Sequence, residues 1–235
     1  NGDIIFFIDD DSEVSPDGIS ALIETFEDKN IFGVGLKLKS KNERKNQSNL
    51  KSFFRKLYYI IFRIQHYGHG RIVMLSGYNI SPNNDEEHLK RIEWLSGCSM
   101  SFRQEIFKNH SFEEKLQKFG GYAFGEDLQF SYCIFKNKMK LVLAKKGYII
   151  HHQSQGGRLN LRNQFAAQIF NQFIIWKTSI YKYKKISIIV YLWSLMGELI
   201  DFYLTGFLKK DFNKVKGTSM GLYAIIIDII ENVKN

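Results

Sequence analysis

An apolar run near the start of the chain ends in three consecutive carboxylates. Residues 4–11 have the sequence IIFFIDDD, in which five apolar residues precede Asp9, Asp10 and Asp11. A short apolar run of this kind predicts a buried strand that delivers the carboxylates to its C-terminal edge. Ligands bind at this edge in open α/β sheets. The segment therefore predicts an α/β fold with a ligand site beside the aspartates.

Three adjacent carboxylates repel one another and stay ionised together only when a cation or several donors compensate them. Oxygen ligands on a short turn suit Mg²⁺ or Mn²⁺, particularly when a substrate diphosphate completes the coordination shell. A solvated acidic turn before a helix capped by Ser15 explains the triplet equally well. The triplet by itself leaves both interpretations open.

The rest of the chain alternates strand and helix patterns before it becomes helical. Apolar residues at helical spacing predict a helix after Pro16, and the runs at 31–38 and 140–150 predict two strands. A short helix is expected from Arg103. The pattern after residue 158 is helical throughout.

Glu126 and Asp127 follow Gly125 at the predicted start of another helix. The helix dipole and the free N–H groups favour ionised carboxylates at this position. An ionised carboxylate beside a substrate hydroxyl is a candidate general base. The commoner explanation, when these two residues are taken alone, is that they only complement the helix dipole.

His151 and His152 end the predicted strand at 140–150. Consecutive strand residues face opposite ways, so one ring is expected to face the carboxylates, where a nitrogen ligand shifts the preference toward Mn²⁺. Arg158 follows two glycines and is close enough in sequence to contact the same phosphates. A structural histidine and an ordinary surface arginine are the alternatives.

The segment Trp-Leu-Ser-Gly-Cys at residues 94–98 offers an aromatic platform and a turn. Gly97 lets a ligand approach the backbone N–H groups closely. A core Trp94 beside a turn is the commoner explanation for such a segment.

Charge is distributed unevenly along the 235 residues, whose formal net charge is +9. Residues 1–36 contain nine acidic residues and one lysine, whereas residues 37–63 contain nine basic residues and one acidic residue. This asymmetry disfavours a uniform surface for nucleic acid. Cys98 and Cys133 fit neither a disulfide framework nor zinc spacing, which favours a cytoplasmic location.

Residues 186–207 are the most apolar part of the C-terminal region. Glu198 and Asp201 interrupt the run, and its uncharged part is shorter than the about 20 residues that span a bilayer. Lysines lie on both sides of it, at positions 182, 184, 185, 209 and 210. A helix at the surface of an anionic membrane is therefore expected, with burial against the protein as the competing account.

Taken in order, Asp9-Asp10-Asp11, residues 94–103, Glu126-Asp127 and His151 resemble the motifs of family 2 glycosyltransferases with the GT-A fold. The resemblance covers roughly residues 3–158 and is closest to bacterial rhamnosyltransferase-like members that build surface polysaccharides. It implies a Rossmann-like mixed sheet flanked by helices, with a nucleotide-binding unit expected before residue 1. The corresponding domains are 1–158, the C-terminal part of the catalytic domain, and 159–235, a helical, membrane-associating extension.

The resemblance also implies a role for each motif. Asp11, Asp9 and His151 would bind Mn²⁺ or Mg²⁺, and Asp9, Asp10 and Arg158 would contact the donor.

On the acceptor side, the resemblance gives Asp127 the role of base, with Glu126 beside it. The segment that lines the acceptor would comprise Trp94, Ser96, Gly97 and Cys98. The reaction implied is transfer of a sugar, with inversion, from a nucleotide-diphosphate sugar to a glycan or lipid-linked acceptor. The expected location is the inner face of the plasma membrane, with no nucleic-acid partner.

Two other classes of protein compete with this interpretation. Carboxylate clusters with histidine also build the two-metal sites of phosphohydrolases and nucleases. A non-catalytic, membrane-associated module is the third class.

Overall fold

A computed structural model describes residues 2–39, 50–64, 66–68, 70–82, 91–120, 123–152 and 159–234. The strands are β1 (Ile4–Phe7), β2 (Ser12–Val14), β3 (Ile31–Lys39), β4 (His66–Gly68), β5 (Ile72–Val73), β6 (Asn79–Pro82), β7 (Met100–Arg103) and β8 (Lys140–His151). The α-helices are α1 (Gly18–Phe26), α2 (Leu50–Ile61), α3 (Glu126–Lys136), α4 (Leu161–Ile175), α5 (Ser187–Leu208) and α6 (Phe212–Lys234).

The main sheet is mixed and, among the described residues, has the order β1-β7-β3-β8-β2. β3 and β8 run parallel, while β7 is antiparallel to β1 and β3, and β2 is antiparallel to β8. A smaller sheet has the order β4-β6-β5. Helices flank the main sheet, and the chain after residue 160 is helical. This architecture confirms the predicted mixed α/β fold of GT-A type with a C-terminal helical region.

The first strand differs from its prediction, because β1 is half-buried and lies at one edge of the sheet that the described residues form. Phe7 packs on one face of the sheet against Phe107 and Phe112. On the other face, Ile4 and Phe6 pack against the cluster that contains α1. An uninterrupted apolar run is therefore compatible with the edge of the sheet, since the elements on both faces cover its side chains.

The strands predicted at 31–38 and 140–150 and the helix predicted at Glu126 are all present. The helix after Pro16 begins at Gly18, and Ser15 does not cap it. Instead the Ser15 hydroxyl donates to the Asp17 carboxylate (2.7 Å) and accepts from the N–H of Tyr148 on β8 (3.0 Å). The expected helix from Arg103 is a short 3₁₀ segment over Gln104–Lys108. The sequence pattern did not predict β2.

The C-terminal helices share a hydrophobic cluster with the sheet region. Leu116, Leu128 and Tyr132 pack in the same cluster as Phe170 of α4 and Ile225 of α6. The predicted domain boundary at residue 158 falls in 153–158, outside the described residues. The division into two domains stays a prediction.

Candidate active site

The pairing of β2 with β8 builds the first part of the site. Ser12 lies opposite His151 in the antiparallel register, and the N–H of His152 donates to the carbonyl of Asp11 (2.9 Å). Asp11 is therefore fixed beside the last residue of β8, although 140 positions separate the two in sequence. A turn holds Asp9 close by, because the N–H of Ser12 donates to the Asp9 carbonyl (3.1 Å).

Asp9, Asp11 and His151 form a compact group of potential metal ligands. The Nε2 atom of His151 lies 3.0 Å from Asp11 Oδ1 and 3.7 Å from Asp9 Oδ2. One ligand atom from each residue lies within 4.8 Å of the others. Two carboxylates and one imidazole suit Mn²⁺ or Mg²⁺, with the nitrogen favouring Mn²⁺. The donor set therefore fits one divalent cation.

The neighbouring residues take different positions. Asp10 is exposed and lies outside this group of ligands. His152 is not a member of this group, and its Nε2 lies 3.4 Å from a carboxylate oxygen of Glu13. Arg158, predicted to contact the donor, lies outside the described residues.

The second part of the site is the start of α3, where two N–H groups hold the Asp127 carboxylate. The N–H of Gly97 donates to Oδ2 (2.8 Å), and the N–H of Leu128 donates to Oδ1 (2.7 Å). Ser131 connects the same two segments, because its hydroxyl accepts from the N–H of Leu95 (3.0 Å) and donates to the Asp127 carbonyl. The carboxylate therefore has a fixed orientation.

Gly125 permits this helix start, because its φ of 87° lies in the left-handed region that favours glycine. A Cβ at this position would also lie 2.8 Å from the side chain of Ile175. The Gly-Glu-Asp sequence thus turns the chain sharply into α3 and leaves both acids in the first turn.

Burial controls the protonation of both acids. It raises the pKa of Glu126 to about 7, and the Asp127 charge next to it acts in the same direction. Burial also raises the pKa of Asp127, although the N–H groups of Gly97 and Leu128 oppose this effect. The negative charge of Asp9 raises the pKa of both acids. The charge of the metal-ligand group therefore acts on both acids of the pair.

The segment predicted to line the acceptor lies next to the start of α3. Its 3₁₀ turn, Gly97–Ser99, contacts β1 and α3. The N–H of Gly97 points to Asp127, so the predicted close approach at this glycine is made by a carboxylate. Cys98 is buried with Sγ 3.3 Å from the Ser96 hydroxyl. Trp94 packs partly into the hydrophobic core.

Sequence reasoning missed Arg71, which is 1% exposed and carries its guanidinium 5.2 Å from the centre of the Trp94 ring. Its positive charge lowers the pKa of Asp127. A single arginine between Gly70 and Ile72 gives no periodic or motif signal, so only its packing beside Trp94 identifies it.

Comparison with known proteins agrees with this geometry. The family described as glycosyl transferase family 2 matches residues 1–111, a little under half of the chain. The match includes the three aspartates and the Trp94 segment, and it ends before Glu126. No curated protein matches the chain. The fold and this match support a family 2 glycosyltransferase, a class that uses a nucleotide-sugar donor and an acceptor.

Proposed function

We propose that this chain carries the catalytic site of a metal-dependent, inverting glycosyltransferase. The observation that carries the proposal is that two acidic centres interact. One is the metal-ligand group at Asp9, Asp11 and His151, and the other is the Asp127 carboxylate, which backbone N–H groups hold and whose pKa the Asp9 charge raises. A glycosyl transfer needs both centres, because charge on a leaving diphosphate must be offset while an acceptor hydroxyl loses its proton.

The proposed donor is a nucleotide-diphosphate sugar, and the acceptor is a glycan or a lipid-linked saccharide. The acceptor hydroxyl oxygen forms a bond to the anomeric carbon as the bond from this carbon to the diphosphate oxygen breaks. Attack from the face opposite the leaving group inverts the configuration. The proton of the hydroxyl passes to a carboxylate oxygen of Asp127, and the electron pair of the broken bond leaves with the diphosphate.

Asp127 suits the role of base because two backbone N–H groups fix its orientation and it retains free lone pairs. Burial raises its pKa, which makes the carboxylate a stronger proton acceptor than an exposed aspartate. Glu126 beside it also has a raised proton affinity, because its pKa is about 7. A divalent ion held by Asp9, Asp11 and His151 would supply the positive charge that a diphosphate leaving group needs.

The sequence resemblance supports bacterial surface polysaccharide synthesis as the setting of this reaction. The unpaired thiols of Cys98 and Cys133 are consistent with a cytoplasmic location at the inner face of the membrane. Trp94, Ser96, Gly97 and Cys98 are proposed to line the acceptor side, since their segment contacts the proposed base through the N–H of Gly97.

Calorimetry with Mn²⁺ and a panel of nucleoside diphosphates tests the proposal. Binding that requires Mn²⁺ and disappears in Asp11→Ala is expected. Glu24→Ala on α1 serves as the control, because it removes a carboxylate at an exposed position outside the ligand group. Binding without metal, or unaltered binding by Asp11→Ala, would contradict the assignment. Hydrolysis of the nucleotide in the absence of an acceptor would favour a phosphohydrolase instead.

A further inference from the structure

Helix α5 has an unusual distribution of polar and apolar residues. Its two carboxylates face the protein, since Glu198 is 2% exposed and Asp201 contacts Tyr59 of α2. Its outer face carries apolar side chains along the whole helix, namely Ile189, Leu192, Met196, Ile200, Leu204 and Phe207. A helix on the surface of a globular protein normally turns its polar face outward. The outer face of α5 is therefore adapted to a non-aqueous neighbour.

Helix α2 extends this apolar surface. Its exposed residues are also mostly apolar, namely Phe53, Phe54, Leu57, Ile60 and Ile61. The helices pack together where the ring of Phe62 stacks on Trp193 at 4.9 Å and the Trp193 Nε1–H donates to the Ile61 carbonyl (2.8 Å). A shallow groove is lined from both sides, by Ile61 and Arg63 and by Ile189, Leu192, Trp193 and Met196. We call the exposed apolar residues of both helices the α2–α5 face.

Positive charge surrounds this face. Lys182, Lys184 and Lys185 precede α5, and Lys209 and Lys210 follow it, all of them exposed. Among the residues that the structure describes, none of these five lysines forms an ion pair with a carboxylate. Arg63 adds a guanidinium to the groove itself. An occupant of the face must therefore combine apolar surface with negative charge.

We propose that the α2–α5 face docks on an anionic lipid bilayer, with α5 lying in the plane of the interface. An apolar face between basic ends is the pattern of interfacial helices, which insert apolar side chains while lysines contact lipid phosphates. A second copy of the chain fits less well, because a two-fold pairing of α5 would bring the lysines of one copy against those of the other.

The uncharged part of residues 186–207 is too short to span a bilayer, but the whole of α5, with its two carboxylates, is long and apolar enough to cross one by length and composition. Its inner face argues for docking, because Glu198 accepts hydrogen bonds from Tyr78 and from Gln168 (2.8 Å). Trp176 likewise donates to Ser187 at the first turn of α5 (3.0 Å). A spanning orientation would break these contacts and leave a carboxyl group in hydrocarbon.

Vesicle flotation tests the proposal with the whole chain. Flotation is expected with vesicles of phosphatidylcholine mixed with phosphatidylglycerol, and much less with phosphatidylcholine alone or at high salt. Leu204→Glu is expected to lower the partition coefficient by about tenfold or more. Ile23→Glu on α1 is the matched control, because Ile23 and Leu204 are both 56% exposed and only Leu204 belongs to the face.

Charge is tested by the pair Lys184→Glu and Lys209→Glu, with an expected loss of about fivefold for each lysine. Lys108→Glu with Lys145→Glu changes the net charge equally at exposed positions away from the face. Phe207→Glu provides a second apolar variant if Leu204→Glu fails to give a cooperative thermal transition.

Three results would overturn the proposal. These are no flotation of the unmodified chain on anionic vesicles at low salt, equal losses in Leu204→Glu and Ile23→Glu, or a dimer in sedimentation that Leu204→Glu dissociates while vesicles are not bound. Because the assay contains neither metal nor nucleotide, its outcome is independent of the proposed glycosyltransferase activity.

Discussion

The two acidic centres of the candidate site are held in different ways. The Asp127 carboxylate accepts two backbone N–H groups and is fixed within the fold. Asp9 and Asp11 face each other and a histidine, and Asp9 is 46% exposed. The fold thus holds one carboxylate with backbone donors and places the other two beside an imidazole. A base must have a fixed orientation, whereas a cation site must present several ligand atoms to an ion, so the two roles call for these different environments.

The largest effect is expected when the internally held carboxylate is neutralised. Asp127→Asn removes the proposed base and should lower turnover by about 10²–10⁴-fold. Mn²⁺-dependent binding of nucleoside diphosphate should change little, because Asp127 is not a proposed ligand. Release of nucleoside diphosphate from a panel of nucleotide sugars with acceptors measures turnover. Near-normal turnover by this variant would exclude Asp127 as the base.

The proposed cation site is tested by two adjacent histidines, of which His151 belongs to the ligand group and His152 does not. His151→Ala removes a proposed ligand and should weaken Mn²⁺ binding by about tenfold or more. His152→Ala should leave the affinity unchanged, since its ring lies beside Glu13. Electron paramagnetic resonance of free Mn²⁺ gives both affinities. Equal affinities in the two variants would mean that this group is not the metal site.

A smaller effect is expected from Arg71, whose positive charge lowers the pKa of Asp127. Arg71→Met removes this charge, so the pKa of Asp127 should rise. The base would then stay protonated to higher pH, and the acid limb of the kcat/KM profile should move upward. Arg71→Lys keeps the charge and should restore the limb toward its original position. A loss of rate without displacement of the limb would indicate a purely structural role.

The smallest effect concerns stability. The pKa of Glu126 in the folded chain is about 7, against an ordinary value of 4.5. Between these pH values the folded state holds a proton that the unfolded state has lost, so the free energy of unfolding should fall as pH rises. Glu126→Gln should reduce this fall, and the variant should be more stable than the parent at about pH 8.

Urea unfolding at about pH 5 and about pH 8 measures the difference. Glu198→Gln is the necessary comparison, because burial also raises the pKa of Glu198 to about 7 and gives a fall of the same sign. An identical pH dependence in the parent and in Glu126→Gln would show that Glu126 does not titrate in this range.

Several elements were predictable because their signals are local. The apolar runs of β3 and β8 specify strands through their length and residue propensities. The start of α3 is specified by Gly125, whose left-handed conformation favours glycine. The three-residue strand β2 was not predictable, since its sequence Ser-Glu-Val has no strand pattern and its pairing with β8 holds it in place.

The sequence by itself identified the candidate residues, because carboxylates, imidazole and glycine have fixed chemical properties and the family resemblance ordered them along the chain. Only the tertiary structure decided how they meet. The β2–β8 register brings Asp11 to His151, Gly97 donates to Asp127, and Arg71 lies buried beside Trp94. The exposed apolar face of α5 was likewise visible only in the structure. Its sequence has apolar residues on both faces of the helix and therefore does not indicate which face packs against the rest of the protein. Contacts between distant residues depend on pairing and packing energies summed over the whole chain, which no local pattern contains.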